Sequence, residues 1–370
     1  MLVKELIEYS KNIIADRMVL DYISRLYGSV VYRQYKENIS EREIEDIQQT
    51  LLSHGIHSQL QVTPREYLLR LIAEYSQTRK GDYNLNILLL VATLLTTSMT
   101  GAMLLGFDPV TNFSNILRGL PYSLSLLFVL GAHEFGHYWY ARRHRISATL
   151  PYFIPFFIPY FSFGTFGAFI RIKSPIPDRR ALLDVGIAGP LASFCLSLIL
   201  IIIGFWQLPD LEGVKLYVSQ IHPWADNSSG ALTLGDSILF DLMRRLMGVQ
   251  YLPMYEIYHF PYIFAGWIGL LVTALNLMPI GQLDGGHISY ALLNKKARYI
   301  ALIAFIALAL LNFYSTNWLV WTVLILFVIK LRHPPTMNDQ LELNTGRRLL
   351  AWCSYVIFIV CFSPMPIYIS

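Results

Sequence analysis

Long apolar runs constrain this 370-residue chain more than any other feature of its sequence. A helix that crosses a bilayer needs roughly 20 mostly apolar residues, and seven runs approach that length. They lie at about 86–107, 119–141, 181–206, 261–280, 299–315, 317–331 and 348–367. The two runs within 299–331 are short and also fit one bent element. We therefore predict a polytopic α-helical membrane protein with about 6–7 transmembrane helices.

Composition and charge agree with this class. The chain is 54% hydrophobic and 15% charged, with a mean hydropathy of +0.45, whereas about a quarter of the residues in soluble domains are charged. The net charge is only +4, and the basic residues cluster beside the apolar runs. This placement predicts contact with a lipid bilayer and no binding of nucleic acid.

The basic clusters also predict an orientation. If the N-terminus is cytoplasmic, every basic cluster that flanks a span lies inside, as the positive-inside rule requires, and 207–260 is external. Met1–Ser10 contains acidic residues and no apolar leader. We therefore expect direct insertion into a membrane, in particular the bacterial inner (plasma) membrane.

Residues 1–82 differ from the rest because they mix charged residues with apolar residues at helical spacing. Ser40 with Glu43, and Thr63 with Glu66, match the capping-box pattern at the start of a helix. We expect a small, soluble, helical cytoplasmic domain over 1–82. An intramembrane core over 83–292 and C-terminal transmembrane helices over 293–370 would follow.

The second apolar run contains the sequence His133-Glu134-Phe135-Gly136-His137. Residues four apart lie on one face of a helix, so both imidazoles can reach one metal ion. Glu134 lies between them in sequence, where its carboxylate can act as a general base on water activated by zinc. Ionisable groups within a span are costly and favour a functional role.

Zinc needs a further protein ligand, and Asp284 is a candidate because it ends the fourth apolar run beside two glycines that permit a tight turn. From spacing alone, a turn or helix-cap aspartate is an almost equal alternative. His287 is a weaker rival for the same role. We expect one Zn²⁺ per chain.

These two motifs, in this order and on separate spans, resemble the site-2 protease family of intramembrane zinc metalloproteases. The matching residues are His133-Glu134-x-x-His137 and, later, Asn276-x-x-Pro279-x4-Asp284-Gly285. The stretch from Gly164 to Phe169 and the sequence from Asp184 to Ala192 are similar to the bacterial and plastid branch. The resemblance covers about 85–290, whereas residues 1–82 carry no recognised motif.

The resemblance implies specific roles and an activity. His133, His137 and Asp284 would be metal ligands, Glu134 the catalytic base, and Asn276 a residue that positions or stabilises the reacting group. The activity would be hydrolysis of peptide bonds in or near the transmembrane segments of other membrane proteins. Many members carry a PDZ domain between the catalytic spans, but 207–260 holds only about 54 residues, which is short for one. We therefore expect the branch without it.

The segment between the two motifs predicts how a substrate is held. The apolar run 150–163 is broken by prolines and is interpreted as a re-entrant or interfacial loop, and Gly164–Ile172 is interpreted as a strand or hairpin with an open edge. We predict that Gly164, Thr165, Phe166, Gly167, Ala168 and Phe169 bind an unwound substrate by β-augmentation. A hairpin that only seals the site is the alternative.

Two other classes use similar residues. A membrane zinc endopeptidase of another class, such as a prenyl-protein endopeptidase, would take a glutamate from a later helix, and the spans within 261–367 contain none. A metal transporter would distribute His and Asp along several spans. Here these residues are concentrated at two places, which favours the protease.

Overall fold

The computed structural model describes residues 3–14, 17–24, 29–54, 56–62, 65–72, 83–159, 162–222, 232–329, 331 and 333–369. The chain divides into two compact units. One comprises residues 1–82 with 173–175, and the other comprises residues 83–172 with 176–370. The further separation of 83–292 from 293–370 stays a prediction.

The N-terminal unit is an α+β fold rather than the helical domain expected from the sequence. Its elements are α1 (Val3–Ile14), β1 (Val19–Ser24), β2 (Ser29–Tyr35), α2 (Glu41–Ser53), β3 (His57–Val62) and β4 (Glu66–Ile72). The strands form one antiparallel sheet in the order β1-β2-β4-β3. The prediction of a helical domain over 1–82 was therefore wrong in its fold class.

The error has a physical cause in β4. Tyr67, Leu69 and Leu71 are buried and alternate with residues that are only partly buried, which is the period of a strand. Leu68 interrupts this alternation in the sequence, and leucine favours helices. The capping box is present at Ser40 and Glu43, where it begins α2. Thr63 lies outside the described residues, and Glu66 begins a strand.

The second unit is mostly helical. Its helices, in chain order, are α3 (Asn84–Leu104), α4 (Leu120–Arg143), α5 (Arg179–Trp206), α6 (Leu211–Ser219), α7 (Ile238–Leu246), α8 (Pro261–Leu277), α9 (Asp284–Leu293), α10 (Ala297–Leu311), α11 (Asn317–Leu324) and α12 (Thr345–Cys361). Its strands are β5 (Tyr152–Pro155), β6 (Thr165–Phe169), β7 (Leu232–Leu234) and β8 (Ile367–Ile369). Short 3₁₀ turns precede α4, α8 and α10, and a π-helical turn follows α11.

Each predicted apolar run contains a helix. Among the described residues, three helical stretches are long and apolar enough to cross a membrane: Asn84–Leu104, Phe113–Arg143 and Arg179–Trp206. The helix at Pro261–Leu277 is apolar but has 17 residues, a length of about 25 Å against a hydrocarbon core of about 30 Å. The total of six or seven spans stays a prediction.

The last apolar run was predicted too long. The helix ends at Cys361, and the chain then forms β8, which pairs with β7. Pro364 and Pro366 explain the change, because proline lacks the N–H of a helical hydrogen bond and disfavours helical geometry in the residue before it.

Local sequence fixes the helix starts that surround the site. The side chain of Asp178 caps α5 by accepting hydrogen bonds from the N–H groups of Arg180 and Ala181, at 2.8 and 2.9 Å.

One turn into α5, the Asp184 carboxylate accepts two hydrogen bonds from the Arg347 guanidinium of α12, at 2.8 and 2.7 Å. His144 at the end of α4 contacts the same carboxylate at 2.9 Å. Asp184 therefore links three helices at one end of the bundle.

Helices α4 and α5 approach each other closely beside the His-Glu-x-x-His motif. A Cβ atom built at Gly136 would lie 2.6 Å from the carbonyl oxygen of Ala188, so only glycine permits this crossing. Small residues let helix backbones approach in this way within membranes. The close crossing places the motif of α4 directly against α5.

Candidate metal centre

The two histidines of α4 form the first part of the site. His133 and His137 lie one turn apart on a buried face of the helix, with 3% and 7% of their surfaces exposed. Their Nε2 atoms are 3.1 Å apart. The i, i+4 spacing therefore brings two imidazole nitrogens to one point inside the helical bundle.

Asp284 completes a group that we call the first triad: His133, His137 and Asp284. It is the first residue of α9, and its Oδ2 atom lies 3.3 Å from Nε2 of each histidine. The alternative of a capping aspartate is not observed, since Leu283 holds the cap position and no side chain makes a cap hydrogen bond there.

The glycines beside Asp284 have a different role from the one expected. Gly285 and Gly286 are helical, and the turn before α9 is made by Gly281, whose φ is +58°. A Cβ at Gly285 or Gly286 would collide with the backbone near Leu277 or Gly281, respectively. These two glycines therefore let α9 begin tightly against the end of α8, and this packing directs Asp284 at the histidines.

The chemistry and spacing of the first triad fit a zinc ion. Two imidazole nitrogens and a carboxylate oxygen make an ordinary catalytic zinc set that leaves one position open. Ligand atoms about 2.1 Å from a tetrahedral zinc lie about 3.4 Å from one another. The separations here are 3.1, 3.3 and 3.3 Å, so the three donors converge as zinc requires.

The other nitrogen of each imidazole is fixed by α5. Nδ1 of His137 lies 2.7 Å from the carbonyl oxygen of Val185, which can only accept a hydrogen bond. Nδ1 therefore carries the proton and Nε2 presents its lone pair to the metal position. Nδ1 of His133 lies 3.0 Å from Oγ of Ser193, which in turn lies 3.0 Å from Oγ1 of Thr273.

The sequence analysis missed Val185, Ser193 and Thr273. A backbone carbonyl has no sequence signal, and a serine or threonine within an apolar span is commonly satisfied by its own helix. Ser193 does make such contacts, to the carbonyls of Gly189 and Pro190. Only the folded arrangement reveals that it also orients His133.

Glu134 lies beside the donor set without joining it. The residue is 7% exposed, and among the described residues the metal-type cluster at this place contains only the first triad. The backbone N–H of Ile170, directly after β6, lies near the Glu134 carboxylate. Glu134 thus lies between the histidines and the β5–β6 hairpin.

Asn276 also lies at the centre, whereas His287 does not. Nδ2 of Asn276 is 3.2 Å from Nε2 of His133, the nitrogen that faces Asp284. His287, the rival ligand, places its Nδ1 2.6 Å from Nε2 of His333 and packs its ring edge-on against that imidazole. It contributes no atom to the first triad.

The predicted strand is present beside the site as β6. It pairs antiparallel with β5, with Tyr152 opposite Phe169 and Phe153 opposite Ala168. The hairpin is fastened to the bundle, because Thr96 donates to the carbonyl of Gly164 at 2.7 Å and Tyr122 to that of Phe163 at 2.9 Å. Among the described residues, the second edge of β6 has no strand partner.

These features define a class: a helical membrane protein with a buried His-His-Asp centre suited to zinc and a carboxylate beside it. Comparison with known proteins agrees. Residues 121–313 match the model of peptidase family M50. The chain belongs to this family, and the resemblance to site-2 proteases is thereby confirmed. The chain is an integral membrane protein and its metal is zinc.

Several curated proteins are similar to this chain. It is 33% identical over 286 residues to "Probable zinc metalloprotease EGY2, chloroplastic" of Arabidopsis thaliana, covering 75% of this chain and 48% of the relative. It is 28% identical over 249 residues to "Probable zinc metalloprotease EGY1, chloroplastic" of the same plant, covering 66% and 43%. The chain thus spans less than half the length of these relatives. No solved structure matches it.

Proposed function

We propose that this protein is an intramembrane zinc metalloprotease that hydrolyses peptide bonds in or near the transmembrane segments of membrane proteins. The observation that carries the proposal is the convergence of the first triad beside the buried carboxylate of Glu134. Membership of a peptidase family supports the same activity.

In this proposal His133, His137 and Asp284 hold the zinc ion, while Val185 and Ser193 orient the imidazoles. When bound, zinc supplies a Lewis acid that activates water and polarises a carbonyl group. The site needs no rearrangement to offer its donors, since all three already face one point. A carboxylate and two imidazoles leave room in the coordination sphere for the reacting groups.

Glu134 is the proposed general base. Its carboxylate receives a proton from the attacking water and then delivers that proton to the nitrogen of the departing amine. The Ile170 N–H is proposed to orient this carboxylate, and burial excludes bulk water from it. Asn276 is proposed to donate a hydrogen bond from Nδ2 to the reacting carbonyl oxygen, where negative charge develops.

The hairpin is the proposed substrate clamp. A transmembrane substrate must unwind before its peptide bond can react, and each exposed N–H or C=O group then lacks a partner within the bilayer. The open edge of β6, over Gly164 to Phe169, can supply those partners by β-augmentation. Phe166 and Phe169 are 67% and 47% exposed, so apolar side chains are available to contact the substrate.

We propose the bacterial plasma membrane as the location, with the N-terminal unit and the active site on the cytoplasmic side and six or seven spans in total. The position of the basic clusters beside the apolar runs supports this orientation. The segment 207–260 is then on the external side.

The experiment that tests the activity uses the full chain in proteoliposomes with a library of single-span substrates. We expect zinc-dependent cleavage within the spans, which Glu134→Gln abolishes. Zinc uptake into the vesicles without any cleavage would indicate a transporter and refute the proposal. A comparison of membrane-protein fragments in cells with wild-type and Glu134→Gln protein would then identify natural substrates.

A further inference from the structure

A second group of donors lies far from the first. Within the described residues, His222, Glu256 and His259 form a further cluster whose ligand atoms all lie within 4.8 Å of one another. We call this group the second triad. His222 follows α6, and Glu256 and His259 immediately precede α8. The site residue Asn276 is at the other end of α8, and the 17 residues of that helix separate the two places by about 25 Å.

The geometry of the second triad matches that of the first. Nε2 of His222 and Nε2 of His259 are 3.0 Å apart, and Oε2 of Glu256 lies 3.3 Å from each of them. The corresponding separations in the first triad are 3.1, 3.3 and 3.3 Å. Both sets therefore approach the separation of about 3.4 Å that a tetrahedral zinc imposes on its ligands.

The orientation of His259 is that of a metal ligand. Its Nδ1 contacts the backbone carbonyl of Leu104, at the end of α3. A carbonyl can only accept, so Nδ1 carries the proton and Nε2 offers a lone pair to the centre of the triad. His137 has the same arrangement with Val185. A backbone carbonyl behind the imidazole is a common support for a zinc ligand.

Glu256 provides an independent reason for a cation. Its side chain is only 2% exposed, and its Oε2 atom has no hydrogen-bond partner among the described residues. A buried carboxylate oxygen that lies 3.3 Å from two imidazole nitrogens but accepts no hydrogen bond from the described part of the chain is poorly compensated for its burial. One hydrogen bond between the two imidazoles would not relieve this cost, whereas a cation bound by all three donors would.

We propose that the second triad binds a zinc ion, which gives the chain two zinc sites instead of the one predicted from the sequence. Two imidazoles and one carboxylate favour zinc over calcium or magnesium, which prefer oxygen ligands. The ion holds the ends of α3 and α6 and the start of α8 together. His222 has 35% of its side chain exposed, which provides an access route for the metal.

Zinc content per chain tests the proposal. The full chain is purified in detergent, equilibrated with ZnSO₄, freed of loose metal by gel filtration and measured by elemental analysis. We expect two zinc ions in the wild type, one in Asp284→Ala, one in Glu256→Ala and none in the double variant. His54→Ala is the control, because His54 is an exposed histidine of the N-terminal unit that belongs to neither triad, and this variant should retain two.

This experiment tests the two proposed zinc sites separately. A wild type that holds one zinc ion, and loses it in Asp284→Ala, would overturn the second site and leave the first intact. Retention of two ions by both His222→Ala and Glu256→Ala would also overturn it. Loss of cleavage activity has no bearing on either count.

A second measurement covers the case in which Glu256→Ala does not fold. X-ray absorption at the zinc edge of Asp284→Ala should show two imidazoles and a carboxylate around the remaining ion. Added zinc should raise the Tm of Asp284→Ala, because it binds only the folded chain. The rise in Tm should vanish in the double variant Asp284→Ala/His222→Ala. His222 is partly exposed, so its replacement should not by itself prevent folding. An unchanged Tm in Asp284→Ala would contradict the proposal.

Discussion

The imidazole ring of His137 lies directly against the backbone of Gly189. A Cβ atom built at Gly189 would come within 3.0 Å of three ring atoms, Nε2, Cδ2 and Cε1. Real Cβ atoms essentially never make such contacts, so position 189 has to be glycine for the imidazole to occupy its place. The α5 backbone therefore sets the position of a proposed zinc ligand on α4.

This contact predicts that Gly189→Ala moves His137 away from the metal position. A displacement of about 1 Å at a catalytic group can reduce the rate roughly 100-fold. We expect a reduction in kcat of that order together with weaker zinc binding, measured by cleavage assay and metal titration. Gly346→Ala is the control, because no atom lies within 4 Å of a Cβ there, and activity should be unchanged. Wild-type turnover in Gly189→Ala would refute the argument.

Ser193 offers a test of the support behind His133. Ser193→Ala removes the hydroxyl that lies 3.0 Å from Nδ1 of that histidine. Loss of such a contact typically weakens metal affinity or activity about 10–100-fold. Ser197→Ala is a matched control, since Ser197 is also fully buried one turn further along α5 and its hydroxyl donates only to the Ser193 carbonyl. Competition with a zinc chelator should separate the two variants, and equal affinities would contradict the role.

Glu134 and Asp284 should respond differently to mutation because one is proposed as a base and the other as a ligand. We expect Glu134→Gln to reduce cleavage at least 100-fold while the zinc in the first triad remains. Asp284→Ala should lose both that zinc and cleavage. Elemental analysis and a cleavage assay on the same samples check both. Full zinc content and full turnover in Asp284→Ala would remove Asp284 from the ligand set.

The candidate metal centre carries the clearest signals in the sequence. The spacing of His133 and His137 is set by the helical repeat, and a long apolar run makes the helix itself predictable. Asp284 needed the family resemblance, because its local pattern fits a turn equally well. Val185 and Ser193 were beyond prediction, since their contacts with the imidazoles depend on how closely α4 and α5 cross.

The fold of the N-terminal unit was the feature that the sequence predicted least well. In β4, tertiary contacts bury Tyr67, Leu69 and Leu71 on one face of the strand. The apolar Leu68 between them obscures the alternation of apolar and polar residues that would predict a strand. Local signals still held where the chemistry is local, as for the Ser40 cap of α2. Long-range pairing between β2 and β4 has no comparable local signal.

The proposed orientation predicts which residues are reached from each side of the membrane. In a background without Cys195, Cys353 and Cys361, we expect Ser219→Cys to react with an impermeant maleimide from outside. Lys295→Cys should react only after the membrane is opened, because the basic residues beside it favour the cytoplasm. Both positions are exposed in the structure, so failure to label is informative. Labelling of Lys295→Cys from outside would refute the proposed orientation.

Proline substitutions in β6 test whether its open edge binds the substrate. Proline removes one backbone N–H without adding charge. Successive N–H groups of a strand point to opposite edges, so alternate variants among Phe166, Ala168 and Phe169 should differ. Those facing the open edge should lose cleavage of a transmembrane substrate while zinc content and Tm persist, whereas those facing β5 should lower the Tm.

Gly167→Pro should be destabilised in any case, because Gly167 has φ +103° and its N–H donates to Thr165. Phe166→Ala keeps the backbone donor and separates the loss of the ring from the loss of the hydrogen bond. If every proline variant either cleaves normally or unfolds, the hairpin only seals the site.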